Sequence, residues 1–142
     1  ELVRNTVTPV LAEISAKAEA DIPIRLFLQR LFEVFRTEVL GTERKLILRL
    51  VLTEGQRFPR IAEFYHREIV SRGIKILRKV ARRAVQHGEL SSDAVARFPQ
   101  LIMAPLLVAV LWDGLFARFD PLDVEGLLDA HAEILLGRKE RR

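Results

Sequence analysis

The sequence contains no cysteine. That excludes disulfides, thiol catalysis, Cys-ligated zinc and iron–sulfur clusters, and it fits a reducing compartment. There is one tryptophan, one tyrosine and one methionine, against eight phenylalanines. No Asn-Gly or Asp-Gly pair marks a hairpin, and no run alternates apolar and polar residues, so strands are not expected. Glycine-rich phosphate loops, the G-x-S-x-G nucleophile elbow and internal repeats are also missing. What is present is 142 residues, 49% hydrophobic and 30% charged. That composition excludes disorder, and the length suits one domain, 1–142, with one core.

Charge gives little direction. Twenty-three Lys and Arg stand against 19 Asp and Glu, a net +4. A pI near 10.0 meets the level expected of nucleic-acid binders, which also need their charge clustered. From Phe98 to Ala117 the only charged residue is Asp113. Pro99, Gln100, Pro105 and Asp113 argue against a membrane span, so this segment is read as a helix buried in protein.

The long segments follow helical spacing, and breaker residues divide them into six expected helices. The first covers Leu2 to Ala18; its apolar stripe is already running at residue 2 with no cap, as if the native chain extended upstream. Asp21 and Pro23 open the second, which runs to Leu40 before Gly41, expected at the left-handed C′ position. Thr42 caps the third, which ends near Gly55. The fourth runs from Pro59 to Gly88. The fifth begins after Ser91 or Ser92. The sixth begins at Asp120-Pro121-Leu122-Asp123 and ends at Gly137.

Projection at 100° per residue sorts the faces. The sixth helix carries Val124, Leu127, Leu128, His131, Ile134 and Leu135 on one stripe, with His131 at its centre. The fourth puts His66, Ile69, Val70, Gly73, Ile74 and Leu77 on one face. Arg72, Lys75, Arg78, Lys79, Arg82 and Arg83 lie on the other. Its first turn breaks this rule: Ile61, Phe64 and Tyr65 point toward the later polar face, so they meet another neighbour or the helix bends. The fifth helix is apolar nearly all round. Leu101, Pro105, Val108, Trp112, Phe116 and Phe119 form one side, and Met103, Leu107, Val110 and Gly114 another. Such a helix must be covered twice, by the chain's own core and by a ligand or a second subunit.

Catalytic and metal chemistry finds few residues. Glu63 and His66 match the E-x-x-H spacing of di-iron bundles, but a single copy does not make a site. Asp129, His131 and Glu133 resemble a ligand cluster in linear order, yet on a helix His131 points away from both acids. No cofactor and no metal are expected. The basic face of the fourth helix reads as solvated surface, since no aromatics interleave with its charges.

The run Leu48 to Tyr65, continuing through the long helix to Gly88-Glu89-Leu90, then Met103 to Leu107 and Leu111-Trp112, resembles the C-terminal regulatory domain of TetR-family transcriptional regulators. The segment from Glu54 to Pro59 is the most specific part. The resemblance covers Leu48 to Leu136 well and the first two helices loosely. It implies an all-α orthogonal and antiparallel helical bundle whose last two helices form a dimer four-helix bundle. It also implies a cytoplasmic regulator, a repressor rather than an enzyme. In that reading a small apolar or aromatic effector controls operator DNA binding by an N-terminal helix-turn-helix head absent from these residues. A helical carrier or enzyme with an apolar cavity is the alternative, and a ligand-free interaction bundle a third.

Helix faces and family placement together assign the sites. Phe35, Leu50, His66, Leu77, Met103 and Trp112 are expected to line the effector pocket, with His66 as the polar anchor. Val110, Gly114, Val124, Leu127, Leu128, His131 and Leu135 are expected at the homodimer interface. His131, buried there, is expected to titrate below its ordinary value.

Overall fold

The computed structural model describes residues 8–137. Among these every regular element is helical. In chain order they are α1 (Thr8–Glu19), α2 (Ile24–Val34), α3 (Arg44–Glu54), α4 (Pro59–Tyr65), α5 (Ser71–Gln86), α6 (Ala94–Arg97), α7 (Gln100–Leu115) and α8 (Val124–Leu136). Two π-helical turns interrupt this series. Phe35–Leu40 extends α2, and His66–Val70 joins α4 to α5. Leu2, Val3 and Val7 of the first expected helix, and the basic tail 138–142, lie outside the described residues.

Helix α2 is the centre of the core. Ile24, Phe27, Leu28, Leu31, Phe32 and Val34 are all buried. Around them pack Leu77, Val80, Ala81 and Ala84 of α5, Ile102, Leu106, Ala109 and Val110 of α7, and Leu128 of α8. Each large side chain enclosed here stabilises the fold by about 1.5–3 kcal/mol relative to exposure. α1 packs on α2 and α5, α3 on α7, and α8 on both α2 and α7.

Several helix ends differ from expectation, each for a local reason. Asp21 does not cap α2. It sits in the left-handed region at φ 52°, and its carboxylate pairs with Arg83 Nε at 3.1 Å. The Ile24 N–H at the start of α2 donates instead to Glu89 Oε1 at 3.0 Å, 65 residues away in sequence. Gly88 makes this possible. Its φ of 75° reverses the chain after α5, and the Glu89 N–H donates to the Ala84 carbonyl at 2.8 Å.

Gly41 is not left-handed; its φ is −79°. It closes the first π turn, donating to the Arg36 carbonyl at 3.0 Å. A Cβ there would stand 2.8 Å from the Thr37 carbonyl, so close approach explains the glycine. Thr42 Oγ1 does accept from the Arg44 N–H, at 3.2 Å.

The fifth expected helix is two. Phe98 leaves the helical region because Pro99 follows it, and α7 starts afresh. The sixth begins three residues late: Asp123 Oδ1, not Asp120, accepts from the Gly126 N–H at 3.0 Å. The Asp120 carbonyl instead accepts the Trp112 indole N–H at 2.6 Å and ties the loop to α7.

The break in phase expected in the fourth helix falls at the second π turn. It shifts phase by about one residue, so the face of α4 and the face of α5 no longer align. The basic face of α5 is partly tied into the fold. Arg78 Nε donates to the Ala96 carbonyl at 3.3 Å, Lys79 pairs with Glu19 at 2.9 Å, and Arg83 donates to the Ala18 carbonyl at 2.7 Å. Lys79 holds the exposed Glu19 carboxyl below its usual value.

Candidate functional site

A cavity of about 160 Å³ opens where α1, α2, α3, α5 and α7 meet. Its wall is almost wholly hydrocarbon. Val10, Leu11 and Ile14 of α1 form one side, and Leu48 of α3 another. Leu31, Phe35 and Val39 come from α2 and the first π turn. Ile69 and Val70 come from the second π turn, and Ile74 and Leu77 from α5. Met103, Leu106 and Leu107 of α7 close it. Both π turns thus face the same space. Such turns occupy well under 1% of residues in globular proteins and gather at functional sites.

Gly73 also lines the cavity. A Cβ built there meets nothing within 4 Å. Glycine inside a helix costs about 1 kcal/mol relative to alanine. Here it leaves open volume beside the wall.

Two polar side chains reach the wall, Arg44 and Tyr65. Arg44 is engaged by Glu38: its Nη1 donates to the Glu38 carbonyl at 2.9 Å and lies 3.4 Å from the carboxylate. Tyr65 is only 8% exposed, and its hydroxyl has no hydrogen-bond partner among the described residues. Burial pushes its pKa up to about 12. The phenol therefore stays protonated at neutral pH.

Of the six side chains expected in the pocket, Phe35, Leu77 and Met103 line this cavity. Leu50 does not: it points outward from α3 at 49% exposure, while Leu48 takes the inner position. His66 is exposed on the second π turn, and Tyr65 occupies the wall in its place. The extra residue of a π turn rotates His66 out and Tyr65 in. Trp112 is held at the far end of α7 by its bond to Asp120, with its ring edge-on to Phe116 at 5.3 Å. The departure of Ile61, Phe64 and Tyr65 from the fourth helix's stripe is the sequence signal that leads to Tyr65.

The residues expected at the dimer interface fall in several environments. Val110 and Leu128 are enclosed in the chain's own core, at 0% and 3% exposure. Val124 and Leu135 are half-buried against that core. Leu127 is half-buried, and Gly114 is exposed. The Arg49 side chain lies across Gly114 to reach Asp113 at 2.6 Å, and Lys45 approaches the same carboxylate at 3.2 Å. These bonds join α3 to α7. Large apolar residues left exposed on α7 and α8 include Leu101, Val108 and Leu115 of α7, with Ile134 of α8 at 80% exposure.

His131 packs between helices, its ring 6.2 Å from Phe32. Its Nε2 is enclosed without a partner among the described residues. Pro105 contributes no N–H to the Leu101 carbonyl, four residues back. Desolvation lowers the His131 pKa, while the backbone of Leu101 and Ile102 acts in the opposite direction.

Among the described residues no group of three His, Asp or Glu side chains stands close enough to hold a metal. No helix there is long and apolar enough to cross a membrane. A family model described as the tetracyclin repressor-like, C-terminal domain matches residues 24–131. No curated protein and no solved structure matches the chain.

Proposed function

Because the chain belongs to the tetracyclin repressor-like C-terminal domain family, we propose that it is the effector-sensing and dimerisation domain of a TetR-like transcriptional repressor. The observation that carries this reading is the apolar cavity bordered by both π turns. A small apolar or aromatic effector enters it. Its wall draws on α1 at one side and α7 at the other. Filling it resets α1 against α7. In this reading α1 follows a helix-turn-helix head encoded outside the present sequence, and α7 with α8 joins two copies. The spacing of the two heads then changes and operator affinity falls, as far as the effector prefers one arrangement over the other.

The second copy covers the exposed apolar residues Leu101, Val108, Leu115 and Ile134. A stable interface of this kind buries on the order of 2,000 Å². Light scattering tests it: a dimer at micromolar concentration is expected, and Val108→Asp is expected to give monomers by burying an unpaired charge. A wild-type monomer removes the dimer reading. Ligand sensing is tested by thermal melting against a panel of neutral one-ring compounds. Stabilisation by several of them, lost in Leu106→Trp, which fills the cavity, is the expected result. An unchanged melting temperature across the panel refutes the sensing role.

A further inference from the structure

We propose that the cavity selects a neutral one-ring ligand bearing a carbonyl-type hydrogen-bond acceptor, which the Tyr65 hydroxyl receives. This rests on the cavity being the effector site. Every other group of the wall is apolar except Arg44, whose guanidinium is already engaged by Glu38 through both a carbonyl and a carboxylate. An anionic ligand would have to compete for that arginine and lose its own hydration in an apolar space. Tyr65 is the opposite case. It is more than nine-tenths buried, lines the cavity and has no hydrogen-bond partner among the described residues. A phenol donates better than it accepts, because its lone pair is shared with the ring. What it offers a ligand is therefore a donor. A ligand oxygen placed there forms one hydrogen bond worth about 0.5–1.5 kcal/mol net.

Size narrows the class. The cavity of about 160 Å³ is on the scale of engineered apolar cavities of about 150 Å³ that stay dry and bind benzene. One aromatic ring with a short substituent fills it. Gly73 supplies extra room at the wall, since nothing stands within 4 Å of where its Cβ would be.

Three probes of nearly equal shape test this. Acetophenone carries the carbonyl, α-methylstyrene replaces that oxygen with a methylene, and benzoate replaces the methyl ketone with a carboxylate. Titration calorimetry on the chain is expected to favour acetophenone over α-methylstyrene about 3- to 10-fold, the worth of one net hydrogen bond. Benzoate is expected not to displace acetophenone. In Tyr65→Phe the ratio of the two neutral probes falls to about one, whereas His66→Ala, one residue along but outside the wall, keeps it. Tyr65 is the single tyrosine, so its ring Cζ resonance reports the contact directly and shifts with acetophenone alone. Equal binding of both neutral probes to the wild type overturns the Tyr65 inference and leaves the effector cavity standing. A preference that survives in Tyr65→Phe overturns it too, as does benzoate binding tightest. Failure of every probe to bind removes the effector cavity itself.

Discussion

Raising the pH tests the environment of Tyr65 without any ligand. Losing its proton would place a phenolate in a hydrocarbon wall, and burial therefore holds the folded group at about 12 against an ordinary value of 10.0. Two pH units at 1.36 kcal/mol each give about 2.7 kcal/mol of stability linked to this one proton. The folded value is the higher one, so the contribution is complete below about pH 10 and is lost as pH rises toward 12. Lysines lose charge in the same window, so the comparison must be with Tyr65→Phe. Denaturant unfolding from about pH 9 to about pH 12 is expected to show the wild type losing 2–3 kcal/mol more than the variant. Because there is a single tyrosine, phenolate absorbance follows this residue alone. A folded-state midpoint near that of the denatured chain, or two parallel stability curves, would show a solvated hydroxyl and refute the reasoning.

Other residues give independent tests. Gly73→Ala is expected to stabilise the chain by about 0.5–1 kcal/mol through helix propensity while lowering acetophenone affinity, because its methyl enters the open space; a stabilised variant with unchanged affinity places the ligand elsewhere. Glu89→Ala removes the acceptor for the Ile24 N–H and is expected to cost about 1 kcal/mol in urea unfolding; no change would mean water replaces the carboxylate. His131 is held below its ordinary 6.5 mainly by desolvation, so its contribution is whole above that pH and declines as pH falls below it. Unfolding of the wild type and of His131→Gln at about pH 7.5 and 5.5 is expected to show a steeper loss in the wild type, and equal losses would make the histidine a bystander.

Where helical spacing runs undisturbed, the faces were legible in the sequence. Gly73, Ile74 and Leu77 share one side of α5 as the 3.6-residue period requires, and Leu77 and Met103 line one cavity. Chain breakers were read less well. Asp120 and Asp123 both precede apolar periodic residues, and only the backbone path shows that Asp123 accepts the capping bond. The cap of α2 was not legible at all, because its acceptor Glu89 lies 65 residues away. No local pattern encodes that partner. Helix α7 illustrates a different limit. With apolar residues on both faces, its sequence cannot say which face is inside. The enclosed face is Ile102, Leu106, Ala109 and Val110, and the open one Leu101, Val108 and Leu115.

One cause sets His66 outside the cavity wall. Projecting residues 59–88 as a single α-helix sets His66 in phase with Val70, Gly73 and Leu77. The π turn over His66–Val70 has a longer repeat, so a phase carried back from α5 is wrong by about one residue in α4. Tyr65 then takes the wall and His66 goes to solvent. The first π turn, Phe35–Leu40, borders the same cavity. A π turn widens the helix and leaves backbone groups less regularly paired, which close packing against a solid core would disfavour. Beside a void that penalty is smaller, because no neighbouring side chain must fit the irregular surface. The open space is therefore also where regular periodicity can lapse, and a strict 3.6-residue projection fails first at the positions that border it.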